Sequence, residues 1–337
     1  MALGVQTNLK IYQDQFYGGF NEVLAQNSDA FNERSANAIR LFTSVARGYY
    51  SEEAFFETIS SLVSRRDITS TSDVDNVNLA ADSMIAPKLF SGTPKVWNTL
   101  SSLQTAGIIN VPDEDVRLGA WFFRVGEQVA KAMLDDMLNR TLTCAIATTG
   151  KSANTYVDIT GASVKTLNYS TGLIATLAKF GDRGQDIRAW VMHSKPFYDL
   201  MGANIAVATD RVAGATIYEG TAGTMGRPVI VTDSASLIQA DGGGTGINSY
   251  YTLGLREGAL DVRLSELPVF ATGLDPDYKA GIAQYYRSDW AYNVRVLGYS
   301  MTANNTNPTD AQLANGGNWT QAFTSPKWTA GVRLETL

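Results

Sequence analysis

The chain holds a single histidine, His193, followed directly by Ser194 in the stretch AWVMHSKPFYDLM, 189–201. A histidine beside a serine is the pairing acyl-transfer hydrolases use, the imidazole taking the hydroxyl proton as the oxygen attacks a carbonyl. That chemistry also needs an acid to orient the ring and donors to hold an oxyanion, and no sequence element marks either. Adjacent side chains at a strand end point in different directions, and no G-x-S-x-G elbow surrounds Ser194. Ser194 as the N-cap of a helix with Pro196 in its first turn, and His193 as a structural residue, accounts for the same letters.

The other chemistry-bearing groups read as structural on the same test. Asp113, Glu114 and Asp115 behind Pro112 suit the positive end of a helix dipole, and Asp135–Asp136 suits a solvated or intersubunit face better than a glycosidase carboxylate pair. Cys144 lies in the apolar run TLTCAIAT and reads as a small buried hydrophobe. One cysteine and one histidine exclude an intrachain disulfide and a multi-cysteine zinc site, and no EF-hand loop is present, so neither metal nor cofactor is expected. DGGGTG, 241–246, lacks the Gly-Lys-Ser/Thr ending of a phosphate-binding loop and precedes a strand, which makes it a hairpin connection.

The elements that must position these residues begin with two helical segments in the first fifty residues, bent apart at Gly18–Gly19, the second capped by Ser28 or Asp29. From Tyr49 to about Leu100 the chain is rich in Ser, Thr and Asp, and reads as an extended hairpin. Pro112 then opens the strongest helical pattern in the chain: Leu118, Phe122, Val125, Val129, Met133 and Met137 recur at helical steps, and Gly150 ends it. A helix of about 34 residues spans about 50 Å, more than an ordinary domain requires. From Lys151 to about Leu264 short strands, helices and glycine loops alternate. Paired strands follow, with a turn expected at Arg287–Ser288–Asp289. The polar tail carries Trp319, Phe323 and Trp328, too much aromatic surface to leave in water, so it should be docked.

Charged residues are 18% of a 337-residue chain of net charge −6, and hydrophobic residues 45%. A charge share below the roughly 25% usual in soluble domains suits a surface covered by neighbours, because interface centres are depleted of Lys, Glu and Asp. No basic run exceeds Arg65–Arg66, so sequence-specific nucleic-acid binding is not expected. The start MALGVQTNLK has no apolar signal region, and no apolar run of 18 residues exists, so no membrane partner is expected.

The order of these parts resembles the major capsid proteins of tailed bacteriophages, the HK97-type fold. LVSRRDITSTS (62–72) looks like the stem of that family's extended loop, AWVMHSKPFYDLM like the strand and helix opening its axial domain, and GRPVIVTDSA (226–235) like the next strand. YYTLGLREGAL (250–260), NPTDAQLANGGNWTQAF (307–323) and KWTAGVRLET (327–336) are similar to coat proteins of the family. The resemblance implies an α+β capsid fold: an N-terminal arm at 1–50, an extended E-loop hairpin at 51–110, a long spine helix of the peripheral domain at 111–150, a mixed α/β axial domain at 151–262, and returning peripheral strands with the C-terminal tail at 263–337.

By the same resemblance the chain would self-assemble through pentamers and hexamers into an icosahedral head around double-stranded DNA, in the virion after assembly in the host cytoplasm. It would have no enzymatic activity, and would work with a separate scaffolding protein, a portal and a possible decoration protein. Intersubunit contacts would fall at Arg65, Arg66 and Asp67 of the loop stem, at Lys88 and Lys95, and at Phe16 and Phe20 of the arm. Replacing Arg66 by Glu should then impair capsomer assembly without unfolding the subunit. An encapsulin-like compartment sharing the fold, and a serine hydrolase using His193 and Ser194, are the alternatives.

Overall fold

A computed structural model describes residues 6–42, 50–54, 69, 82–99, 114–209, 226–240, 246–278, 281–302, 306–323 and 325–337. The fold is α+β, as the resemblance implied. An arm helix, Gln6–Arg34, lies against a long helix, Glu114–Thr149, and both cover one face of a five-stranded sheet. Its core is the hairpin of β11 (Leu260–Tyr278) and β12 (Gly281–Val296). β1 (Ile39–Phe42) adds in parallel to the start of β11, while β4 (Lys88–Gly92) and β5 (Val96–Thr99) add antiparallel to β12.

The long helix forms where the periodicity put it. Phe122, Val125, Val129, Met133 and Met137 are all buried, and the amide of Gly150 closes the last turn on the Ile146 carbonyl at 3.1 Å. At 36 residues it runs about 54 Å. The threonines of its second half do not break it, because the hydroxyls of Thr141, Thr148 and Thr149 donate back to carbonyls one turn earlier.

Three local expectations fail for identifiable reasons. The arm does not bend at Gly18–Gly19 but continues as one helix to Arg34. A Cβ at Gly19 would stand 2.3 Å from the Phe123 carbonyl oxygen, and one at Gly126 would stand 2.3 Å from that of Phe16. These glycines form the notch in which the two helices cross, so Gly19 serves contact, not curvature. The predicted second helix is absent: Ala36 and Asn37 take positive φ, and IRLF enters the sheet as β1. No turn occurs at Arg287–Ser288–Asp289; β12 runs straight through, with Ser288 paired to Phe270, and the chain reverses between Tyr278 and Gly281.

A second sheet of six strands carries the other core. Its order is β6 (Tyr156–Asp158), β15 (Gly331–Thr336), β10 (Ser249–Arg256), β7 (Ile187–Met192) and β8 (Val229–Val231), with β9 (Ile238–Gln239) also on β10. Phe180, Ile187, Trp190, Met192 and Leu200 pack there with Val332 and Leu334. The expected hairpin around 241–246 matches the antiparallel pairing of β9 with β10 on either side of it.

The expected boundaries therefore shift in two places. β15, assigned by resemblance to the returning peripheral strands, sits in the middle of the second sheet, because Val332 and Leu334 complete a core built by 151–262. The stretch 51–110 is not one projecting hairpin: β2 (Tyr50–Ala54) and β3 (Asp82–Ala86) pair as a stem, but β4 and β5 belong to the five-stranded sheet. Buried Met84 and Leu89 hold this return against the main core. The tail is docked as expected, Trp319 fully buried with its indole N–H donating to the Leu313 carbonyl at 3.0 Å. No described helix is long and apolar enough to cross a membrane.

Candidate assembly surface

One face of the five-stranded sheet packs on the helices; the other carries an open groove of about 1400 Å³. The pairing explains which side chains reach it. Phe90, Ala291 and Glu266 lie in one cross-strand row, and Gly92, Asp289 and Val269 in the next row on the same face. Leu89, Tyr292 and Leu264 point the opposite way, into the core. The register slips between Leu264 and Val269, around Pro268, and this irregularity turns Leu267 outward as well.

Three large apolar side chains are therefore exposed in one groove: Phe90 at 46%, Leu267 at 62% and Val269 at 64%. Lys88, Lys95, Glu266, Arg287 and Asp289 surround them. Contiguous exposed apolar surface rimmed by charge marks a protein contact more often than an isolated exposed Leu does.

Lys88 and Lys95 both come to this groove, but neither projects as a lone cation. Lys88 Nζ lies 2.6 Å from Glu266 Oε1, with its side chain only 13% exposed, and over the Phe90 ring at 4.7 Å. Lys95 Nζ sits 4.3 Å over the Tyr285 ring. Arg65, Arg66 and Asp67 lie outside the described residues.

Phe16 and Phe20 correct the expectation of an intersubunit role. Both are buried inside the subunit, and Phe16 stacks on Phe270 with ring centroids 3.9 Å apart. The arm's apolar stripe is used against its own sheet and long helix, because the glycine notch brings the helices close enough to seal it. Asp136 also turns inward from the expected solvated or intersubunit face. Its carboxylate accepts from Ser91 Oγ at 2.8 Å, Tyr292 Oη at 2.9 Å and Arg140 Nε at 2.8 Å, while Arg140 also reaches Asp310. This network, which ties the long helix to β4 and β12, has no signature in sequence spacing because its bonded partners lie up to 170 positions apart.

His193 and Ser194 exchange the roles expected of them. The helix Ser194–Thr209 starts at the serine, so His193 occupies the cap: its Nδ1 accepts the Lys195 amide at 3.2 Å and its carbonyl accepts the Phe197 amide. Asp233 supplies the acid that sequence could not reveal, with Oδ1 3.5 Å from His193 Nε2 and 3.4 Å from the Ser194 amide. The Ser194 hydroxyl stands 3.4 Å from Nδ1, whose single lone pair already receives the Lys195 amide. Asp233 is exposed, and hydrogen bonding to Ser194, its hydroxyl first and its amide after, draws the carboxyl below the usual carboxylate range. The arrangement holds a strand-to-helix corner.

Comparison with known proteins follows the same direction. The family model described as "Gp13-like: Major capsid protein 13-like" matches residues 8–333. No curated protein matches the sequence. Among solved structures, the acidic stable capsid of Helicobacter pylori bacteriophage KHP30 is similar at 10% identity, over 90% of this chain and 88% of that one, with a TM-score of 0.48. The capsid of Ralstonia phage GP4 is similar at 12% identity, over 89% and 87%, with a TM-score of 0.47. The capsid of Cyanophage Pam1 is similar at 13% identity, over 90% and 91%, with a TM-score of 0.48. The chain belongs to the Gp13-like major capsid protein family and is a structural coat protein.

Proposed function

We propose that this coat protein assembles through pentamers and hexamers into an icosahedral head enclosing double-stranded DNA. The observation that carries the assembly reading is the groove of Phe90, Leu267 and Val269, on a sheet whose other face is already filled. Covering those side chains is worth about 1.5–3 kcal/mol each if burial is complete. A neighbouring subunit repeats the contact around a ring, and such heterologous contacts close a shell.

On this reading 1–50 is the arm, 51–110 supplies the loop that reaches a neighbour, the long helix is the spine, and 151–262 forms the axial unit with β15. The role involves no catalysis. DNA is enclosed without sequence readout, in keeping with a net charge of −6. A separate scaffolding protein, a portal and a decoration protein complete the head, and assembly takes place in the host cytoplasm. Arg65, Arg66 and Asp67 fix partner choice at the loop stem.

Negative-stain electron microscopy of the purified protein, with and without a co-expressed scaffold, tests this. Closed polyhedral shells or six-fold capsomers are expected. Leu267→Asp with Val269→Asp should leave a folded subunit by circular dichroism that no longer closes, and Arg66→Glu should behave likewise. A homogeneous monomer under both conditions would refute the reading. Shells that take up protein cargo instead of DNA would make it a compartment.

A further inference from the structure

The arm helix stops at Arg34 against its own sequence. From Phe20 to Phe42 there is neither glycine nor proline, and Phe31, Ala38, Ile39 and Phe42 fall on one helical face, the pattern of a helix that continues. The last turn closes instead as a left-handed stop. The Asn37 amide donates to the Asn32 carbonyl at 2.9 Å and the Ala36 amide to the Glu33 carbonyl at 3.0 Å, with φ at 51° for Ala36 and 56° for Asn37. The position Ala36 holds is ordinarily glycine, because a Cβ crowds the backbone at positive φ. Here it is alanine, the strongest helix former.

Contacts from elsewhere in the fold hold this stop in place. The Gly258 amide donates to the Asn37 carbonyl at 2.8 Å and the Leu260 amide to the Ala38 carbonyl at 3.1 Å. The Asn32 side chain serves Leu41 as a strand neighbour would, accepting its amide at 2.8 Å and donating to its carbonyl at 3.0 Å. Ile39 and Leu41 are buried, and Arg40 pairs with Asp261 at 2.7 Å. A helix through the same residues would need only its own backbone. Local preference and tertiary contact thus pull residues 35–42 toward different structures.

We propose that residues 35–42 are a conformational switch, a strand on β11 in one setting and a continuation of the arm helix in another, with Ala36 and Asn37 as its hinge. This inference rests on the assembly reading above. A shell of pentamers and hexamers places one sequence in rings of two sizes, where neighbours meet the subunit at different angles. An element with two closely balanced packings responds to such a difference. Alanine at the stop keeps the balance. Glycine there would favour the strand twice over, by relieving the positive φ and by weakening the helix. A merely strained corner would gain the same stability from glycine and leave assembly untouched.

The test compares wild type and Ala36→Gly, each expressed with the same scaffold, by thermal melting of the subunit, particle counts in electron micrographs and cryo-electron microscopy of the shells. The glycine variant should melt above wild type yet close about tenfold fewer shells, since one of the two states is withdrawn. In wild-type shells residues 35–42 should be helical at some positions of the shell and extended at others. A variant that melts higher and assembles normally would overturn the proposal, and so would a single strand conformation at every position of the shell. A variant that melts lower would remove the strain at Ala36 and the hinge with it. Absence of shells from wild type itself would instead strike the assembly reading, and the two failures are thus distinct.

Discussion

The hydroxyl of Tyr17 accepts a hydrogen bond from the backbone amide of Phe270 at 3.0 Å, so a side chain of the arm helix serves as a partner for the edge of β11. The same oxygen faces the Pro268 carbonyl at 3.4 Å. Beyond Arg263, where β1 ends, no described strand pairs with that edge. An unpaired edge invites chance pairing with another chain. Here it is blunted by three devices acting together: Pro268, which has no amide hydrogen, the register slips beside it, and the helix that brings Tyr17.

Tyr17→Phe keeps the ring and removes the partner. It should lower stability by about 1 kcal/mol, the usual net worth of such a bond, as measured by urea unfolding. An unchanged midpoint would mean that solvent satisfies the Phe270 amide equally well.

The glycine notch makes a steric prediction. Gly126→Ala places a methyl against the Phe16 backbone, which can yield only by moving the arm helix away. A loss of about 1–3 kcal/mol is expected, with faster exchange of arm amides in hydrogen-exchange mass spectrometry. Gly18→Ala is the control, since its Cβ would meet only the Phe123 ring at 3.7 Å. Equal effects from the two would remove the notch argument.

Alkaline sensitivity follows from Tyr292. Burial first, then the charge of Asp136, raises its phenol well above the ordinary 10.0. The unfolded chain ionises this tyrosine near that value while the folded one keeps its proton, so its contribution is whole below pH 10 and fades as pH climbs beyond it. Tyr292→Phe should flatten the decline in melting temperature above pH 10. A decline of undiminished slope would place the alkaline lability elsewhere.

Asp261 is buried between Arg40, at 2.7 and 3.0 Å, and Arg295, and so ties β1 to the β11–β12 hairpin. Removing the carboxylate leaves two guanidiniums facing each other beside a buried strand. Asp261→Ala should cost about 3–5 kcal/mol, read from denaturant midpoints. A loss under about 1 kcal/mol would show that the arginines find other acceptors or water.

The Cys144 thiol is fully buried, and desolvation pushes it up to about 12. Iodoacetamide at pH 8 should modify it only through unfolding, so labelling should rise sharply with urea. Rapid modification of the native subunit would show that the core around the long helix opens far more often than its packing implies.

Sequence periodicity was enough for the long helix, the strand Ile187–Met192, the helix after it and the docking of Trp319, because each depends on neighbours within a few turns or on burial alone. The order of these parts also carried the capsid resemblance. Tertiary structure decided what each element packs against, and there the local reading went astray. Gly18–Gly19 looks like a bend until Phe123 and Gly126 arrive from a hundred residues away. Ser194 looks like a cap until His193 is seen with Asp233. Phe16 looks available to a neighbour until Phe270 covers it, and β15 looks peripheral until Val332 and Leu334 fill a core made by other strands. The physical reason is the same in each case. Helical and strand periods are set by the chain's own geometry, whereas the use of a glycine, a carboxylate or an aromatic ring depends on atoms that only the fold brings within a few ångströms.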